Sequence, residues 1–160
     1  MPPVPKSFGS VKLALVCLVT VLLGDQISKQ LAENYLNNQS TLEIFPFFNL
    51  LLVRNTGISF GIFRNISPIF LICASMAVAV YLAVWARSNA LYRLPVALVM
   101  GGAIGNILDR IFRGSVVDFL DFHACGYHWP AFNIADSSIV IGAMLLFFVA
   151  YKCDNESAAQ

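Results

Sequence analysis

The chain has 160 residues, 58% hydrophobic and 12% charged, with a mean hydropathy of +0.73 and a formal net charge of +1. Soluble domains average roughly 45 to 50% apolar and about 25% charged residues, so this is the composition of an integral membrane protein. The near-neutral balance, with no run of Lys or Arg, excludes a nucleic-acid partner. The four cysteines, Cys17, Cys73, Cys125 and Cys153, form no CxxC pair, which predicts neither a disulfide framework nor a redox motif.

In chain order, Lys6 and Lys12 precede an apolar run from Leu13 to Leu23, the charge pattern of a secretory signal peptide. Gly24, Asp25 and Gln26 are not a small-residue cleavage site and apolar runs recur further on, so an uncleaved first helix is expected. A hydrocarbon core about 30 Å thick takes about 20 helical residues. Only Ile66 to Ala86 supplies that length cleanly. To span, the first run must continue through Asp25 and Lys29, the third must reach Asp109, and the fourth must begin at or before Asp136. The spans then fall at about 11–31, 66–86, 93–110 and 134–152, in a single membrane domain covering 1–160.

Between the first two spans, residues 40–64 are rich in Phe, Leu, Ile and Val but interrupted by Pro46, Gly57 and Gly61, which predicts short strands and turns. Phe45, Phe47, Phe48, Phe60 and Phe63 are expected to cover a lipid-facing site or anchor the segment at the interface. The expected fold class is an all-α membrane protein with four transmembrane helices and a small extracytoplasmic β-rich segment between helices 1 and 2. Lys and Arg divide evenly between the two sides. Lys29 and Arg110 have acidic neighbours in Asp25 and Asp109, whereas Arg87, Arg93 and the amino-terminal lysines do not, which places both termini in the cytoplasm. Asp25, Asp109, Asp118 and Asp136 then gather at the outer face.

Ionisable groups inside a membrane are costly and mark function. In the third span, Gly101, Gly102 and Gly105 allow close helix packing, and Asn106, Asp109 and Arg110 share one face. Beyond it, Asp118 lies within the apolar run Val116 to Leu120, while Asp121, a competitor for the same role, neighbours Phe122 and His123 in a more polar turn. Asn133 precedes Asp136, which can also serve as an N-cap for the helix that Ser137 starts. Two carboxylates in reach of each other share one proton and titrate together. One can then draw a proton from water while the other protonates a scissile carbonyl, as in aspartic proteases. His123, Cys125 and His128 provide three zinc-type ligands without a fourth, so no metal is expected. Ser28 and Lys29 are adjacent on a helix and face apart. The rival reading is a small proton or ion carrier with a charge relay. It would need ionisable groups through the full thickness, and the second span has none.

In order, Asp25-Gln26-Ile27-Ser28-Lys29, Arg54-Asn55-Thr56-Gly57 with Phe60-Gly61, Gly101 through Arg110, Val116-Val117-Asp118-Phe119, and Trp129 through Ser137 resemble the motifs of the bacterial lipoprotein signal peptidases, or signal peptidase II. The resemblance implies a four-helix inner-membrane aspartyl endopeptidase, independent of metal or other cofactor. Its implied substrate is a diacylglyceryl-modified prolipoprotein, cut just before the lipidated cysteine, with membrane lipid as its surroundings and no obligate protein partner. By motif position it implies Asp118 and Asp136 as the catalytic pair, Asn55, Asn106, Arg110 and Asn133 as substrate-binding residues, and Asp25, Lys29 and Asp109 as supporting polar groups. Ile58 and Ser59 depart from the small apolar residues usual after Asn-Thr-Gly. No role carries over to His123, Cys125 or His128.

Overall fold

The structure, a computed structural model, describes residues 10–37, 41–57 and 67–158. Phe60, Phe63, Ile58 and Ser59 lie outside the described residues. Among the described residues four helices are long and apolar enough to cross a membrane: α1 (Val11–Leu36), α2 (Pro68–Ser88), α3 (Arg93–Phe112, preceded by a 3-10 turn at Ala90–Tyr92) and α4 (Ile134–Ala158). Strands β1 (Leu42–Phe45) and β2 (Phe48–Asn55) follow α1, and β3 (Val116–Ala124) and β4 (Tyr127–His128) follow α3.

Helix α3 is the centre of the bundle, with α1, α2 and α4 all packed on it. Its glycines make that possible. A Cβ at Gly102 would collide with the Ala135 carbonyl and come within 2.5 Å of Ser138 Oγ on α4, and one at Gly105 would stand 2.5 Å from Asp25 Oδ2 on α1. Side chains there would force the helices apart, so these positions set the approach of three elements at once. The buried stripe of α1 is Asp25, Lys29, Ala32 and Leu36, spaced at four, three and four, while Val16, Val19, Leu23 and Ile27 are exposed. Within the membrane-spanning part, the charged Asp25 and Lys29 face inward and the large apolar side chains outward, the inverse of a soluble amphipathic helix.

The strands form one antiparallel sheet in the order β1-β2-β3-β4. A sheet was expected between the first two spans, and its first half is there. Its second half comes from after α3, where Val116 to Leu120 is a strand and not merely an apolar run. Pairing of Asn55 with Val116 and Val53 with Asp118 brings the end of β2 beside the start of β3. The β3–β4 hairpin turns on Cys125 and Gly126, both at positive φ (52° and 81°), as a two-residue primed turn requires. This register sets His123 opposite His128, and their rings stack at 4.8 Å.

Candidate active site

At the sheet end of the bundle, Lys29 is fully buried, and its ammonium donates to three acceptors. These are Asp25 Oδ2 at 2.8 Å, Asp109 Oδ2 at 2.8 Å and Asn106 Oδ1 at 2.9 Å. An ammonium has three donors, so none is left over. Asp25 Oδ1 accepts from the Ala135 amide at 2.8 Å, tying α1 to the start of α4. Asp109 accepts from the Val117 amide at 3.1 Å, from Gln26 at 3.1 Å and from Arg113 Nη1 at 2.6 Å. Arg113 reaches on to Glu33, which also pairs with Arg54. A charge cluster of this burial survives only because every member is bonded.

The cluster orients the next layer. With its oxygen held by Lys29, Asn106 must present its amide nitrogen elsewhere, and it donates to Asp136 Oδ1 at 2.8 Å. Asn133 Nδ2 donates to Asp118 Oδ1 at 2.7 Å, and Asn133 Oδ1 accepts from the Asp136 amide at 2.8 Å. Asn133 is therefore the cap of α4, and Asp136 lies in the first turn. The reading of Asp136 as a helix cap is corrected here: the Asn133 side chain accepts from the Asp136 amide, and α4 begins at Ile134, three residues before Ser137. Asn55 Nδ2 donates to the other Asp118 oxygen at 2.9 Å. One asparagine thus touches both carboxylate residues. Burial, and then the neighbouring Asp136 charge, push the Asp118 carboxyl up to about 7, against the hydrogen bonds from Asn55 and Asn133 that favour its ionised form.

Asp136 is half-buried and Asp118 is only 1% exposed. Asp136 lines a cavity of about 380 Å³ between α2, α3 and α4 with Asn55, Asn106 and Arg110, its other walls being largely apolar, among them Leu71, Val78, Val99 and Ile139. Arg110 closes part of the rim, donating to the Gly57 carbonyl at 3.1 Å and the Asn106 carbonyl at 3.3 Å. Such a space admits an apolar chain and offers it the Asp136 carboxylate and two amides at one place, with Asp118 buried behind.

All nine residues singled out in the sequence thus join one network. Asp121 does not. It is buried in β3, not set in a polar turn, and it bonds Asn49 at 3.1 Å and His128 Nδ1 at 2.9 Å. Three residues on from Asp118 in a strand, it faces the other side of the sheet. Asp109 pairs with Lys29 and Arg113 rather than with adjacent Arg110, because a position four along the helix shares its face. Sequence reasoning missed Gln26, Glu33 and Arg113 in the cluster. The four-residue spacings Asp25, Lys29, Glu33 and Asp109, Arg113 were the available signal.

Fold and site geometry define a polytopic membrane enzyme. A solved structure described as a bacterial membrane enzyme matches with a TM-score of 0.80 and 31% identity, covering 89% of both chains. The family model for signal peptidase (SPase) II matches residues 17–152, so the chain belongs to the signal peptidase II family of proteases. It is 43% identical to the lipoprotein signal peptidase of Syntrophotalea carbinolica, covering 88% of this chain and 92% of that one. With that of Thermodesulfovibrio yellowstonii it shares 38% identity, over 86% and 93%.

Proposed function

We propose that the chain removes the signal peptide of diacylglyceryl-modified prolipoproteins, cutting just before the lipidated cysteine, with Asp118 and Asp136 as an aspartyl pair that shares one proton. The observation that carries this reading is the single hydrogen-bonded unit formed by Asn55, Asp118, Asn133, Asp136 and Asn106 beside an apolar cavity. The ionised member takes a proton from water as the water oxygen attacks the scissile carbonyl carbon, and the protonated member donates to the carbonyl oxygen. Collapse of the resulting diol breaks the C–N bond. As it collapses, the ionised carboxylate takes a proton from a diol hydroxyl while the protonated one gives its proton to the departing amine, so the pair returns with one proton. Carboxylates and water suffice, with neither metal nor covalent intermediate.

Asn55, Asn106, Arg110 and Asn133 would hold the peptide backbone and the pair, while Asp25, Lys29 and Asp109 hold Asn106 and the α4 terminus. A substrate with two acyl chains keeps the bond near its cysteine at the membrane surface. In this proposal the protein lies in the bacterial inner membrane with both termini cytoplasmic and the pair at the outer face. The ion-carrier alternative lacks support, since the described part of α2 holds only Arg87 among ionisable residues, apart from Tyr81 and Cys73.

The test is the full chain in liposomes with purified lipid-modified precursor, the products identified by intact mass. A mature product beginning at the lipidated cysteine is expected. Equal cleavage of the unmodified precursor, or cleavage at another bond, would refute the substrate assignment.

The raised Asp118 value gives a pH dependence with a definite sign. The protonated fraction of Asp118 falls as pH rises through about 7, so the one-proton pair is lost in that direction. Initial rates measured between about pH 6 and about pH 9 should fall on the alkaline side, approaching tenfold per unit. A rate climbing steadily across that range would contradict the shared proton.

A further inference from the structure

Glu33 lies one turn beyond Lys29 on the same face of α1, past the buried cluster and within reach of the sheet. Its two oxygens are divided between arginines of different elements. Oε2 accepts from Arg113 Nε at 3.1 Å, and Oε1 accepts from Arg54 Nη2 at 2.8 Å. The side chains of Glu33 and Arg113 are 16% and 17% exposed, and Arg113 Nη1 continues to Asp109 at 2.6 Å and Gln26 at 3.0 Å. An isolated surface ion pair fixes little. Here Arg113 already holds the carboxylate in place, so Arg54 meets a preorganised acceptor.

Arg54 is the neighbour of Asn55, whose amide nitrogen donates to Asp118 at 2.9 Å. Adjacent strand residues point to opposite faces, so with Asn55 turned to Asp118 the Arg54 side chain is turned to α1. This end of β2 has little else to fix it. Strand β1 covers β2 over residues 48–50, and the β2–β3 register shifts between Leu50 and Val53. Such a bulge interrupts the ladder and bends the strand, and among the described residues Val53, Arg54 and Asn55 have β3 as their single strand partner. The Asn55 side chain is oriented locally, its Oδ1 accepting from the Gly57 amide at 3.0 Å. Its distance from Asp118, however, follows wherever the strand end lies. The pair with Glu33 ties that end to the helix that carries Lys29.

We propose that Glu33 and Arg54 are positioning residues for the reaction, clamping the end of β2 to α1 so that Asn55 is held against Asp118. The inference rests on the role proposed above for Asp118, and its test includes a readout that needs no cleavage. The charges that face Asp118 are Asp136 on α4, Lys29 on α1 and Arg110 on α3, each held by partners other than Glu33 and Arg54. Release of the clamp therefore changes the Asn55 bond first. That bond favours the ionised form of Asp118, so weakening it moves the Asp118 titration to higher pH.

Infrared titration of the full chain in liposomes, carrying isotope-labelled aspartate, reads Asp118 directly, its band identified by its absence in D118N. In R54Q and in E33Q the midpoint should rise by about half a pH unit, and the alkaline limb of the cleavage profile should move with it. R54K, which keeps an ion pair with Glu33, should stay near the parent midpoint. N55A should shift the midpoint at least as far as R54Q does, and R54Q/N55A no further than N55A, because one substitution acts through the other. Unfolding midpoints in detergent establish that the variants fold, and R54Q alters a side chain that is 51% exposed. An unmoved midpoint in R54Q beside a raised one in N55A, or shifts that add in the double variant, would overturn the clamp. Normal cleavage by D118N would instead refute the aspartyl reading, an outcome on which the infrared midpoints do not depend.

Discussion

Asp118→Asn and Asp136→Asn are each expected to slow precursor cleavage by at least about a thousandfold while leaving the membrane fold in place. In the proposed mechanism each substitution removes a group that acts in both halves of the reaction. Without a carboxylate the water keeps its proton, and without the shared proton the carbonyl oxygen is left with its developing negative charge unneutralised. The fold should tolerate the changes for reasons visible in the network. An amide oxygen at position 136 still accepts from Asn106, and an amide at 118 relieves the burial cost that raises the Asp118 carboxyl. A gel-shift assay on lipid-modified precursor, with thermal unfolding in detergent as the control, checks both parts of this expectation.

Lys29→Met should have the largest effect on stability. Breaking a buried ion pair by removing one partner costs roughly 3–5 kcal/mol, because the remaining charge keeps its desolvation penalty and loses its attraction. Here two carboxylates and one amide oxygen lose a donor together, and all of the ionic partners are fully buried. For a chain of this size that corresponds to a fall of about 10 °C in unfolding midpoint. Cleavage should fall too, since the Lys29 contact is what turns the Asn106 amide nitrogen toward Asp136. An unfolding midpoint within about 2 °C of the parent chain would show that Asp109 is held well enough by Arg113 alone.

Much of this site could be read from the chain because membranes penalise polar groups so heavily. Asp25, Lys29, Asn106 and Asp109 stood out against apolar surroundings, and their helical spacing put them on facing sides of α1 and α3. What the sequence did not reveal was longer in range or finer in geometry. Strand β3 pairs with β2 across more than sixty residues of chain, and an apolar run such as Val116 to Leu120 carries no mark of its partner. That pairing is nonetheless what brings Asn55 to Asp118. The choice of Asn133 over Asp136 as helix cap turned on neighbouring side chains equally able to cap. The His123 and His128 pair looked like metal-ligand spacing and is the cross-strand register of a tight hairpin.

The central claim is that Asp118 and Asp136 work as one proton-sharing unit. Single-turnover cleavage of lipid-modified precursor by the parent chain, D118N, D136N and the D118N/D136N double variant tests this most directly. If the pair is one unit, the second substitution adds almost nothing, and the double variant is about as slow as either single one. Full cleavage by either single variant, or a double-variant loss equal to the product of the two single losses, would contradict it.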